Sequence, residues 1–276
     1  METEYTGFMT LRLNDEEFGR FYQSPQENQC GCLTNEYLIL ENEVGDFVDA
    51  FRWNGEEMQR VPFKSINSRY SGRVKPRNVH QQLAVDMLYN SDITVKMLTG
   101  RYGTGKDYLM SAAAIEMVEK GRMDKIVYVR NNIEVSGSKP IGYLPGTGDE
   151  KLMPYAMVLA DKVGGKDALE MLLMQGKVEL VHLGFIRGRD IRNSIIYCSE
   201  AENMTREHIQ LLLGRVGEGS QLWLNGDARQ TDLSTLRQNS GMKLAVDRLK
   251  GHPRFGYVQL QKTERSETAA MADLLD

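Results

Sequence analysis

Short apolar runs, each flanked by polar or glycine-containing residues, recur through most of the chain: ITVKMLT from Ile93, KIVYV from Lys125, VELVHL from Val178, SIIYC from Ser194, QLWLN from Gln221 and YVQL from Tyr257. Helical patterns separate several of them, one running to Gly121 and another ending at Leu213. Strands spaced by helices in this way predict an α/β fold with a parallel, doubly wound sheet. Ahead of them, Glu36 to Val61 alternates apolar and polar residues, with Val44-Gly45-Asp46 and Asn54-Gly55 as turn signals, and reads as a small antiparallel β unit. The polar stretch NSRYSGRVKPRN, Asn67 to Asn78, reads as a linker. Its Arg69, Arg73, Lys75 and Arg77 suit a solvated connector, with a nucleic-acid contact as the alternative. The expected boundary falls near Gly72, dividing a β-rich appendage over 1–71 from a main domain over 72–276. No repeat or low-complexity tract interrupts the pattern.

Composition narrows the function classes. With 41% hydrophobic and 26% charged residues in 276, the chain is long enough for one sizeable core plus an appendage. A formal net charge of -4 provides no global basic field, so any nucleic-acid contact must be local. Cys30, Cys32 and Cys198 form no paired framework or zinc spacing, which suits a reducing cytoplasm. The N-terminus has no signal-peptide pattern and no apolar run approaches membrane-span length, so secretion and membrane insertion are not expected. The four scattered histidines are assigned no chemistry, and the fifteen methionines, including those of EMLLMQ, read as core filler.

The chemistry concentrates in Gly100-Arg101-Tyr102-Gly103-Thr104-Gly105-Lys106, which satisfies G-x-x-x-x-G-K directly after an apolar strand and before a helical pattern. Glycines there let backbone N–H groups converge on phosphate oxygens, and the helix N-terminus with Lys106 offsets their charge. Asp107 follows, where P-loop ATPases usually carry the Ser or Thr that reaches magnesium. The strand SIIYC ends in Ser199-Glu200-Ala201-Glu202, where such ATPases usually carry Asp-Glu to hold magnesium's shell and polarise water. The hydroxyl and carboxylate have thus exchanged strands. A compensated swap, with Asp107 and Ser199 both serving magnesium, is the reading adopted, and two independent losses are the alternative.

The stretches PRNVHQ, GTGK, IGYLPGTGDEKLMPY, FIRGRDI, SEAENMT, LNGDARQTDL, SGM and TERSETA occur in an order and spacing that resembles the PhoH-like ATPases, particularly those whose ATPase region follows a nuclease domain. The resemblance runs from about Asn35 to the C-terminus; the family's GTGKT and DEAQN stand here as GTGKD and SEAEN. It implies a RecA-like P-loop core using ATP and Mg2+, with Gln81 near the adenine, although a polar residue opening a helix would look the same. It implies that Asp227 and Gln230 sense the γ-phosphate and attacking water, with Glu200 catalytic and Arg265 an arginine finger. Arg187 and Arg189 become candidates for charge neutralisation on ATP or a nucleic-acid backbone. Nuclease activity is not expected. With few residues after Arg265, a second RecA-like half is expected from another subunit, in a homo-oligomeric and hexameric ring. The resulting expectation is an ATP-driven motor or helicase on single-stranded RNA or DNA, although no aromatic stacking platform is evident in any basic stretch. Its rival is a nucleotide-dependent oligomeric scaffold with weak turnover.

Overall fold

Val-, Ile- and Leu-rich runs with no solvent-facing alternation need cover on both faces, and they receive it. The computed structural model describes residues 4–130, 157–227 and 240–264. Six strands, β7 (Val95–Gly100), β8 (Lys125–Arg130), β9 (Val178–His182), β10 (Ser194–Cys198), β11 (Gln221–Gly226) and β12 (Phe255–Leu260), form one sheet in the order β12-β7-β11-β10-β8-β9. Every neighbouring pair is parallel. Side chains alternate between two cores: Leu98, Ile195, Tyr197, Trp223 and Val258 face one, while Met97, Ile196, Cys198, Leu224 and Tyr257 face the other. Helices α2 (Val79–Tyr89), α3 (Lys106–Glu119) and α4 (Lys166–Met174) cover the first face, and α5 (Arg206–Leu213) with α6 (Gly241–Leu249) covers the second. Strand β11 lies between β7 and β10, so the residue ending it stands between the phosphate-loop strand and the acidic strand.

The N-terminal unit contains the expected antiparallel strands β2 (Tyr37–Glu41), β3 (Phe47–Trp53) and β4 (Met58–Arg60). Two elements were not anticipated: β1 (Phe8–Arg12), which pairs parallel to β2, and α1 (Asp15–Phe21), which opens on a capping box between Asn14 and Glu17. This unit is tied to the main sheet. Phe8, Tyr37 and Ile39 share a core with Leu83 and Val258, the Tyr37 hydroxyl donates to Asp86 at 3.2 Å, and the Asn35 amide donates to the Phe255 carbonyl at 3.0 Å.

The expected linker is instead a hairpin, β5 (Ile66–Ser68) with β6 (Gly72–Val74), which crosses the expected boundary at Gly72. It docks on α3: the Asn67 N–H donates to Glu116 and the Arg69 N–H to Glu119, each at 3.0 Å. One buried and one half-buried helix carboxylate thus do what hydropathy could not announce. The methionines also divide: Met87, Met97 and Met110 are core, but Met171 and Met174 on α4 are exposed, correcting the reading of EMLLMQ as core filler.

Candidate functional site

Parallel strands converge their polar ends at the carboxyl edge of the sheet, where open α/β folds bind ligands. There β7 passes through Gly100 into the loop that enters α3. Gly105 caps that helix with a left-handed φ of 87°, and a Cβ on it would stand 3.0 Å from the Gln81 amide nitrogen. A Cβ on Gly100 would meet the Leu260 carbonyl at 2.8 Å and the Thr104 hydroxyl at 2.7 Å. Only glycine fits where the loop is pressed this closely against its supports.

Those supports come from three segments. The Gln81 amide donates to the Thr104 carbonyl at 2.9 Å, and its oxygen accepts the Arg77 N–H at 2.9 Å. The Glu264 N–H donates to the Gly103 carbonyl at 2.8 Å, while the Glu264 carboxylate accepts the Asn78 amide at 2.8 Å. Within the loop, the Thr104 hydroxyl donates to the Arg101 carbonyl at 2.9 Å. With carbonyls 101, 103 and 104 engaged by the protein, the loop is held in place ahead of the helix N-terminus, the end that favours an anion. Lys106 Nζ lies 3.5 Å from the Arg101 carbonyl and 5.7 Å from the Tyr102 ring centre, and among the described residues it has no carboxylate within ion-pair distance. Its charge is available to phosphates, so the cradle fits a nucleotide.

Asp107 occupies the first turn of α3, where the helix's positive end favours a carboxylate. Its Oδ1 accepts from the Asn225 amide at 2.6 Å and from the Tyr197 hydroxyl at 3.5 Å; Asn225 also donates to Tyr197 at 2.7 Å. Burial, with Asp107 adding to it, holds the Tyr197 phenol far above its ordinary range, so it remains a donor. Ser199 is buried at the end of β10 and bonds the Tyr128 hydroxyl at 2.8 Å. The rings of Tyr128 and Tyr197 meet edge to face at 5.4 Å, which joins Asp107 and Ser199 in one polar cluster. Among the described residues no three acidic, His or Cys groups are grouped to hold a metal. Magnesium, however, needs only one or two protein oxygens besides water and phosphate, so one carboxylate and one hydroxyl suit it.

Glu200 adopts a left-handed backbone, φ 56° and ψ 41°, and its carboxylate pairs with Arg130 at 2.7 Å. Glu202 turns to the opposite neighbour, accepting the Asp227 N–H at 3.2 Å. Burial pushes the Glu202 carboxyl up to about 7. Asp227, buried at the end of β11, stands beside it.

Of the remaining candidates, Arg187 is exposed, two residues after Phe185, itself 79% exposed. One exposed aromatic thus lies near this basic stretch. Arg189 is instead committed to Glu179 through contacts of 2.8 and 3.1 Å, a carboxylate shared with Lys125. Gln230, Arg265 and the segment IGYLPGTGDEKLMPY lie outside the described residues. Sequence reasoning missed Tyr128, Arg130, Tyr197 and Asn225. The available signal was a polar residue at or near the carboxyl end of an apolar run in a parallel sheet.

The family model described as PhoH-like protein matches residues 73–274. Among curated proteins, the chain is 35% identical over 291 residues to Protein PhoH2 of Bacillus subtilis, covering 98% of this chain and 64% of that protein. It is 32% identical over 284 residues to Protein PhoH2 of Thermobispora bispora, covering 98% and 62% respectively. A second Bacillus subtilis relative, a PhoH-like protein, is 32% identical over 180 residues, 64% of this chain and 56% of the relative. The chain therefore spans somewhat under two thirds of the length of these relatives. Among the described residues no helix is long and apolar enough to cross a membrane.

Proposed function

Because this chain belongs to the PhoH-like family of P-loop NTPases, we propose that it binds ATP with Mg2+ and hydrolyses it, as a ring-forming motor on single-stranded nucleic acid. The observation that carries the nucleotide reading is the Gly100–Lys106 loop, braced by Gln81 and Glu264, with a lysine at its end that has no carboxylate partner among the described residues. In this reading the loop and Lys106 hold the phosphates, and Asp107 with Ser199 supplies oxygens to the cation. Magnesium, when bound, neutralises charge on the terminal phosphate oxygens. Glu200 polarises the attacking water, Asp227 and Gln230 sense the γ-phosphate, and Arg265 reaches a neighbouring subunit's nucleotide. A hexameric ring supplies that neighbour, and exposed Arg187 gives the strand a local positive contact.

One feature favours the rival scaffold reading: one oxygen of Asp107 is engaged by Asn225 and Tyr197, and Glu200 is paired with Arg130. Steady-state ATP hydrolysis with magnesium, with and without single-stranded RNA or DNA and beside a Lys106→Ala control, separates the two. Turnover that rises with one nucleic acid and vanishes in the control supports the motor. Tight ATP binding without turnover supports the scaffold, and light scattering that finds a monomer with ATP present removes the ring from both.

A further inference from the structure

The two carboxylates after β10 face opposite ways. Glu202 reaches toward β11, the side on which β7 and the phosphate loop lie, through its bond to the Asp227 N–H. Glu200 reaches toward β8, the strand on the far side of β10, where Arg130 ends β8 and holds its carboxylate at 2.7 Å. The same guanidinium lies 3.4 Å from the Ser199 hydroxyl, so one arginine grips two consecutive residues of the acidic turn. Arg130 is only 13% exposed, which keeps its fork fixed, and the left-handed backbone at Glu200 is what aims the carboxylate at it.

We infer that Arg130 is a positioning residue that latches Glu200 on the side of β10 away from the phosphate loop, restraining basal hydrolysis. This rests on the ATPase reading with Glu200 as the water-polarising group. While the ion pair is closed, the carboxylate is spent on a guanidinium and directed away from the γ-phosphate position. The fraction of time it is open sets the basal rate. Arg130 need not touch nucleotide for this, so nucleotide affinity is independent of the latch.

The test uses the full chain, with steady-state ATP hydrolysis under magnesium resolved into kcat and KM, binding of a fluorescent ATP analogue, and a melting curve for each variant. Arg130→Gln is expected to raise basal kcat about fivefold, equivalent to about 1 kcal/mol at 1.36 kcal/mol per decade, with KM within about twofold. Adding Glu200→Gln to Arg130→Gln should abolish the gain. Arg130→Lys, which keeps the charge but not the fork, should raise kcat by less. An unchanged or lower kcat in Arg130→Gln overturns the latch, as does a raised KM, which would make Arg130 a nucleotide contact. If Arg130→Gln melts below the assay temperature, Arg130→Lys takes its place; if neither folds, Arg130 is a fold residue and the latch is wrong. A different failure is recognisable separately. If wild type and variants alike bind no nucleotide, or if Glu200→Gln alone keeps full turnover, the underlying ATPase assignment falls and the latch with it.

Discussion

Glu202 gives the sharpest stability prediction. Its side chain is only 8% exposed, its Oε2 accepts the Asp227 N–H, and burial, more than the nearby Glu200 charge, moves its carboxyl from an ordinary 4.5 to about 7. The folded state therefore holds a proton that the unfolded chain releases between about pH 4.5 and 7. Stability from this group is intact below pH 4.5, declines through that window, and is lost above pH 7. At about 1.36 kcal/mol per pH unit, the loss at pH 8 is about 3 kcal/mol, an upper figure because local relaxation softens desolvation. Glu202→Gln keeps an oxygen for the Asp227 N–H without the ionisable proton. Urea unfolding of both proteins from pH 4.5 to 8 should give near-equal stabilities at the acid end and a variant about 2–3 kcal/mol more stable at pH 8. The difference cancels every other titrating group. A gap that stays constant with pH, or a wild type more stable at pH 8, would refute the reasoning.

Three further outcomes are expected. Gly105→Ala forces an L-residue into φ 87° with its Cβ 3.0 Å from Gln81, so it should cost about 1–2 kcal/mol in urea unfolding and weaken ATP-analogue binding by about tenfold. Asp107→Thr and Ser199→Asp should each lower magnesium-dependent turnover, with the double variant recovering beyond either single; a double no better than the singles removes the compensated swap. Glu116→Ala leaves the Asn67 N–H and the Tyr89 hydroxyl without their carboxylate. It should cost about 2–3 kcal/mol and speed hydrogen exchange across residues 66–74, whereas unchanged exchange would show that the hairpin does not depend on α3.

What was legible followed the physics of burial. All six strands of the main sheet were readable because a sheet covered on both faces demands continuous apolar runs. The phosphate loop was readable because its glycines and lysine are set by local geometry. Strand β1 was not, since FMTLR is short and gains its partner only when Tyr37–Glu41 arrives beside it, although the Asn14-x-x-Glu17 box that starts α1 was available to be read. The β5–β6 hairpin was illegible for a related reason: its short strands and turn are held by carboxylates 49 and 50 positions away. The loop motif was visible in the sequence itself, whereas Tyr128, Arg130, Tyr197 and Asn225 come beside the candidate residues only through the strand order.

That order explains how an acid is accommodated at 107. Placing β11 between β7 and β10 brings Asn225 against the first turn of α3, where its amide meets Asp107 while also donating to Tyr197 from the neighbouring strand. Two donors thus converge on one carboxylate oxygen in the first turn of α3. The other oxygen has no hydrogen-bond partner among the described residues. An acid at this position is therefore supported rather than merely tolerated, and the support leaves one oxygen facing the requirement of a hard cation. The same strand order turns Glu202 toward the Asp227 N–H just after β11 and Glu200 toward Arg130 at the end of β8. With β11 on one side of β10 and β8 on the other, the strand order decides which way each of the two carboxylates turns.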